Sequence, residues 1–271
     1  MGKNNIDSIF FQSHRGGLYD RPENTMAAYK YSWSLKGAIP EIDVRTTNDG
    51  VMVCLHDNRL KRTINAPLNI AYKKINKLKS SQILLLDAGI KFKKDYEGEH
   101  IPTLKEVFDE LRKVKSRQLY LDVKNLDYIL LKDMIHEYQI EKQIIFVHGD
   151  LNKCKLLSEL YSNSRTMTWL SGNKNRITSK YRSISKSGYD GVTQLQLHLH
   201  AHRVKDKIIY NLNKEFLLNA VKETSKYNID LMVRPFLFDH DSLSYLLSLG
   251  IKWFAVDKSG LFVKIIKEIS D

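Results

Sequence analysis

Along this chain, apolar residues gather in short strand-like runs at positions 9–11, 39–44, 51–55, 119–123, 144–147, 166–170, 229–233 and 253–256. Runs of that length, rich in Ile, Val and Leu, predict strands buried on both faces, as in a parallel sheet covered by helices. Between many of them the apolar spacing changes to every third or fourth residue. That change predicts helices over 24–35, 104–114, 128–138, 152–161, 214–226, 242–249 and 261–269, the second with Thr103 as its N-cap. Strand and helix in alternation predict a parallel sheet wrapped by helices, and at 271 residues the closed (β/α)8 TIM barrel is favoured over an open doubly wound sheet. A further candidate strand at 191–197 makes nine candidates, one too many, so some boundaries or one whole element must be wrong. Residues 57–101 break the rhythm with an irregular, Lys-rich stretch. They predict a small insertion on the barrel rim after the third strand, too short to hold much core, within a single domain of residues 1–271.

Composition narrows this little: 42% hydrophobic and 27% charged residues suit a folded domain and exclude disorder. The charge says more. With 43 Lys and Arg against 31 Asp and Glu the formal net charge is +12, which concentrates phosphate-bearing partners of any kind near the surface. Two cysteines, Cys54 and Cys154, have no paired spacing and predict reduced thiols rather than a disulfide or zinc scaffold. Met1 to Asp7 lack the apolar stretch of a secretory leader, and no uncharged run is long enough to span a bilayer, so a cytoplasmic protein is expected. No glycine-rich nucleotide loop opens any helix.

The candidate chemistry sits at the ends of the early strands, where a barrel of this kind delivers its reactive side chains. Ser13-His14-Arg15-Gly16-Gly17 follows the first run. His14 supplies a proton-transfer group near neutral pH, Arg15 a planar fork matched to phosphate oxygens, and the glycines a close backbone approach. Glu41 and Asp43, two apart on the second strand, share a face with Ile42 on the other. Two adjacent carboxylates repel, and a hard divalent cation, Mg2+ or Ca2+, resolves the repulsion most simply. The Asn48-Asp49-Gly50 turn then sends the chain back through 51–55 to His56, which should emerge beside His14. A pair of imidazoles can take a proton from a nucleophile and give one to a leaving alkoxide. Asp122 and Lys124 end a fourth strand on one face, a candidate third metal ligand and a candidate phosphate clamp, or a plain ion pair.

Taken together, His14-Arg15-Gly16, Pro22-Glu23-Asn24-Thr25, Glu41-Ile42-Asp43-Val44, Thr47-Asn48-Asp49-Gly50 and His56-Asp57 resemble the N-terminal signature of the glycerophosphodiester phosphodiesterase family in order and spacing. Leu60-Lys61-Arg62-Thr63 and the segment from Ile101 to Val107 extend the resemblance, which covers roughly the first 125 residues and fades afterwards. The resemblance implies a (β/α)8 barrel that hydrolyses glycerophosphodiesters to an alcohol and glycerol 3-phosphate. It implies His14 and His56 as acid and base, Arg15 on the phosphate, Glu41 and Asp43 on one divalent metal ion, and Glu23 in or just behind the inner shell. This chain departs from the pattern at Asp122-Val123-Lys124, where the family has Glu, at Val233-Arg234-Pro235, where it places a Trp, and at Val256-Asp257-Lys258.

Two alternatives stay open: a phosphodiesterase on a lysophospholipid or sugar phosphodiester, or a non-catalytic barrel that binds phosphate. The expected partner is a small-molecule phosphodiester, not nucleic acid, with peripheral contact to an anionic membrane open and the oligomeric state unread. Gln194, Gln196, His198, His200 and His202 alternate along a run that reads as a half-exposed strand lining a pocket, more readily than as a histidine metal site.

Overall fold

The computed structural model describes residues 8–270, so Met1 to Asp7, the segment read for a leader, lie outside the described residues. The chain divides into two compact units, an amino unit of Ser13–Ile145 and a carboxyl unit of Met1–Gln12 with Phe146–Asp271. The element order is that of a (β/α)8 barrel, with strand and helix alternating through both units.

In the amino unit, the chain arrives from β1 (Phe10–Ser13) and turns into α1 (Met26–Ser34). That helix starts later than the spacing predicts because Asn24 takes a left-handed φ of 56° and Thr25 caps the first turn by accepting from the Ala28 N–H. β2 (Ala38–Thr46), β3 (Met52–Cys54) and β4 (Leu119–Asn125) form its sheet in the order β4-β2-β3. β2 and β4 are parallel, with Glu41 beside Tyr120 and Asp43 beside Asp122. β3 is antiparallel to β2, so the run at 51–55 is the one that does not belong to the parallel set. Gly50, at φ 81°, makes the reversal possible.

Residues 57–101, expected to hold little core, hold more than their pattern suggests. Between β3 and α3 lie α2 (Leu68–Ala71) and several single turns, and Leu60, Ile64, Ile70, Ile75 and Ile83 pack as a buried cluster with Val53 and Leu55. Leu60, Ile64 and Ile75 stand singly among polar residues, which hides them from a search for runs, although Ile83 opens the short run Ile83-Leu84-Leu85-Leu86. α3 (Leu104–Leu111) begins as predicted at Thr103, in a capping box with Glu106. α4 (Tyr128–Tyr138) follows, and β5 (Ile144–Val147) carries the chain out of the unit.

The carboxyl unit runs through α5 (Leu151–Leu160), β6 (Arg165–Leu170), α6 (Lys174–Lys186), β7 (Gln194–Leu199), the hairpin β8 (Ala201–Val204) and β9 (Lys207–Tyr210), α7 (Lys214–Lys226), β10 (Asp230–Pro235), α8 (His240–Ser248), β11 (Trp253–Val256) and α9 (Ser259–Ser270). Its strands are ordered β6-β7-β10-β11-β1, with Gln196 beside Met232 and Met232 beside Trp253 in parallel register. Three features differ from expectation. α6 escapes the pattern because it is a polar helix that buries only Ile177, Tyr181 and Ile184. The β8–β9 hairpin was not anticipated either. β7, read as half-exposed, is buried at all six residues, so its glutamines are interior groups. Among the described residues no helix is long and apolar enough to cross a membrane.

Candidate active site

The acidic cluster is built by strand register. Glu41 and Asp43 share one face of β2, and the parallel pairing with β4 sets Asp122 alongside, so that ligand oxygens of all three carboxylates lie within 4.8 Å of one another. Among the described residues this is the one such grouping of three or more metal-ligating side chains, and the histidines of 198–202 do not form another. Glu41 and Asp43 are buried, and Asp122 is partly exposed. Burial pushes the Glu41 carboxyl well above its ordinary range, and the neighbouring charges of Asp43 and Asp122 push it further. Burial acts on Asp43 in the same sense, but Lys124, His56 and the Asn24 amide overcome it and hold that carboxyl below its ordinary range. Lys124 lies 3.0 Å from Asp43 and is ion-paired with Asp122; despite the burial that opposes its charge, the carboxylates raise it to about 12.

Around the cluster, the turn after β1 is wound in the left-handed region at Arg15 (φ 54°), Gly16 (φ 78°) and Gly17 (φ 104°). The winding aims the Arg15 N–H at Glu41 Oε2, 2.7 Å away. Gly16 is required there for space as well as for φ, since a Cβ would stand 2.8 Å from that of Ala28. The Arg15 side chain lies against Asp43 at 3.8 Å and donates to Glu23 at 3.1 Å. His14 occupies the same turn and is half-buried.

The β2–β3 hairpin returns His56 to the level of Asp43, where the Leu55 N–H donates to the Asp43 carbonyl at 2.9 Å. His56 Nδ1 is 2.8 Å from Asp57 Oδ1, and its carbonyl accepts from Arg45 at 2.9 and 2.5 Å. Arg62 donates to Asp57 at 2.7 and 3.0 Å and to Glu23 at 2.6 and 2.7 Å. A continuous ionic chain therefore runs from His56 through Asp57, Arg62 and Glu23 to Arg15. The Asp57 carboxyl is held far below its ordinary range, chiefly by its hydrogen bonds to Arg62.

All eight residues singled out from the sequence, His14, Arg15, Glu23, Glu41, Asp43, His56, Asp122 and Lys124, thus lie in one unit, Arg15, Glu41, Asp43, Asp122 and Lys124 in direct contact. Two others do more than their motifs disclosed. Asn24 clamps Asp43 from both sides, its Nδ2 donating to Oδ2 at 2.9 Å and its Oδ1 accepting from the Asp43 N–H at 3.0 Å, while Tyr29 holds the same Oδ1. Arg62 joins two loops. The available signal was the Asn of Pro22-Glu23-Asn24-Thr25, a residue type that tolerates positive φ and offers both a donor and an acceptor. Cys54 is buried and its thiol is pushed up to about 12, which makes it inert.

Elsewhere, Arg234, where the family places a Trp, pairs at 2.9 Å with Asp257 of the segment that only partly matches the family pattern. Tyr31 packs under Arg21 at 4.1 Å, and Tyr19 is exposed.

A model of the glycerophosphoryl diester phosphodiesterase family matches residues 14–261. A glycerophosphodiester phosphodiesterase of Caldanaerobacter subterraneus subsp. tengcongensis is 35% identical over 156 residues, 54% of this chain and 61% of that protein, so the match spans less than two thirds of the relative. A glycerophosphodiester phosphodiesterase of Agrobacterium tumefaciens has a similar structure, with a TM-score of 0.74 at 20% identity, over 94% of this chain and 99% of that one. A phosphodiesterase of Oleispira antarctica, solved with the product sn-glycerol-3-phosphate, has a TM-score of 0.67 at 20% identity, over 95% of this chain and 96% of that one. At such identity these structures speak to the fold, which is the (β/α)8 barrel.

Proposed function

We propose that this chain, which belongs to the glycerophosphoryl diester phosphodiesterase family, is a metal-dependent hydrolase that splits glycerophosphodiesters into an alcohol and glycerol 3-phosphate. The observation that carries the reading is the meeting of Glu41, Asp43 and Asp122 beside the Arg15 turn. Three oxygen donors suit a hard divalent cation, Mg2+ or Ca2+, and the raised Glu41 carboxyl is what a cluster short of positive charge produces. Held by those three residues, the ion would draw off negative charge from a phosphate oxygen.

The chain's own groups supply the rest. Arg15 grips phosphate oxygens through its planar fork, and Glu23 orients that fork. Lys124, which neutralises Asp43 and Asp122 in this structure, is the second cation for the phosphate. Asp57 holds His56 at Nδ1 and leaves Nε2 to exchange the proton. His14 and His56 divide the two proton transfers, one from the attacking water or substrate hydroxyl and one to the leaving oxygen, with water consumed over the whole reaction. The product bound in the Oleispira antarctica structure supports glycerol 3-phosphate as the product here. The reading includes a cytoplasmic protein acting on a small molecule rather than on nucleic acid, with 57–101 at the rim of a single domain.

Glycerophosphocholine, assayed beside lysophosphatidylcholine with and without EDTA, tests it. Hydrolysis of the first substrate should vanish in EDTA, and His14→Ala should bind it without turning it over. Turnover that resists EDTA, or that is confined to the lysolipid, would overturn the reading.

A further inference from the structure

Beside His56 the amino unit carries an open cleft of about 640 Å³, within the ordinary size of a small-molecule site. Its wall holds four cationic side chains, Arg45, Arg59, Lys61 and Arg62, against one carboxylate, Asp57. Two of the cations are occupied: Arg45 by the His56 carbonyl, Arg62 by Glu23 and Asp57. The other two are not. Among the described residues Arg59 and Lys61 meet no carboxylate, both are exposed, and the Lys61 ammonium stands 4.7 Å from the Tyr72 ring. A simple diester brings one negative charge, for which Arg15 and Lys124 already suffice. The cleft therefore has positive charge to spare on the side of the molecule where His56 works.

We propose that this cleft is a subsite for a leaving group that carries its own phosphate, so that the preferred glycerophosphodiesters are those whose alcohol is itself a phosphate ester. The inference rests on the proposed hydrolysis and names a substrate class within it. Arg59 and Lys61 take the added phosphate, and its two negative charges replace the water that now surrounds them. They act as specificity residues, distinct from the groups that attend the reacting phosphorus.

Glycerophosphoinositol and glycerophosphoinositol 4-phosphate differ by that one group and make a matched pair. At low salt kcat/KM should favour the phosphorylated diester about tenfold, the sum of two solvent-exposed charge contacts. Replacing both residues, Arg59→Ser with Lys61→Ser, should bring the ratio close to one while the unphosphorylated diester is hydrolysed as before. The equivalent removal of charge far along the sequence, Lys205→Ser with Lys207→Ser, should leave the ratio where it was. A parent ratio near one, or a ratio unmoved by the cleft variant, overturns the subsite. Binding of the same two diesters to His14→Ala, followed by calorimetry, reads the subsite without turnover: the same preference supports it, and equal affinities overturn it. Failure of the parent to hydrolyse either compound would count against the proposed reaction, and the binding ratio would still decide the subsite.

Discussion

The ends of the strands are furnished differently in the two units. In the amino unit they crowd carboxylates together, Glu41, Asp43 and Asp122, with Lys124 as the nearest compensation. In the carboxyl unit Arg234 and Asp257 pair with each other, and β7 ends in Gln196 and His198. Gln196 donates to Gln12 at 2.9 Å, its carbonyl meets His198 Nε2 at 2.9 Å, and the His198 ring stacks on Trp169 with centroids 5.4 Å apart. Side chains that carry both a donor and an acceptor can satisfy one another, as Gln196 does with Gln12 and His198. A trio of carboxylates cannot, since it has acceptors only and like charges besides. The lesson is that one set of strand ends meets its own polar needs, and the other brings together donors that could hold a cation.

The largest effect should come from the acidic trio. Asp43→Ala or Glu41→Ala should lower turnover of glycerophosphocholine by about a thousandfold, while the circular dichroism spectrum stays that of the parent. A variant that kept its activity would break the contrast between the units. Next is the turn that serves the trio: Gly16→Ala should destabilise by about 3 kcal/mol in urea unfolding, from left-handed backbone and from the clash with Ala28.

A third test is stability against pH in EDTA-treated protein. Glu41 has its carboxyl raised by folding, so its contribution is intact below the ordinary value of 4.5 and is lost as pH climbs through the raised folded value. Stability should therefore decline above about 4.5, and a divalent ion at a hundred times its Kd should restore about 2.7 kcal/mol, seen as a higher Tm. Glu41→Gln should flatten the decline. The smallest effect belongs to the network of Gln12, Gln196 and His198: Gln196→Leu should cost about 1 kcal/mol, the same with EDTA as without. Sensitivity to EDTA there would erase the distinction between the two sets of strand ends.

Much of the amino unit was legible in the sequence because its logic is local. The two-residue period of Glu41-Ile42-Asp43, the Asn48-Asp49-Gly50 turn and the glycines after His14 each follow from backbone geometry within a few residues. The grip of Asn24 on Asp43 and the reach of Arg62 to Glu23 depend on approaches across 19 and 39 positions, which no local pattern encodes. In the carboxyl unit the strands are readable from their apolar runs, but the alternating Gln and His residues of β7 read as a half-exposed strand. Gln196 and His198 are buried because they bond to each other and to Gln12, and such compensation is invisible until the strands are side by side. The polar helix α6 was missed for a related reason, three anchoring residues being too few to stand out.

The sharing of Glu23 between Arg15 and Arg62 has a consequence for timing. One anion tethers two loops, so neither guanidinium can shift its allegiance without loosening the hold on the other. If Arg15 takes the substrate phosphate as proposed, a pull on it would reach the imidazole of His56 through Glu23, Arg62 and Asp57. On that reading, cargo and proton carrier would be geared to each other, and the loops would engage in step rather than one at a time.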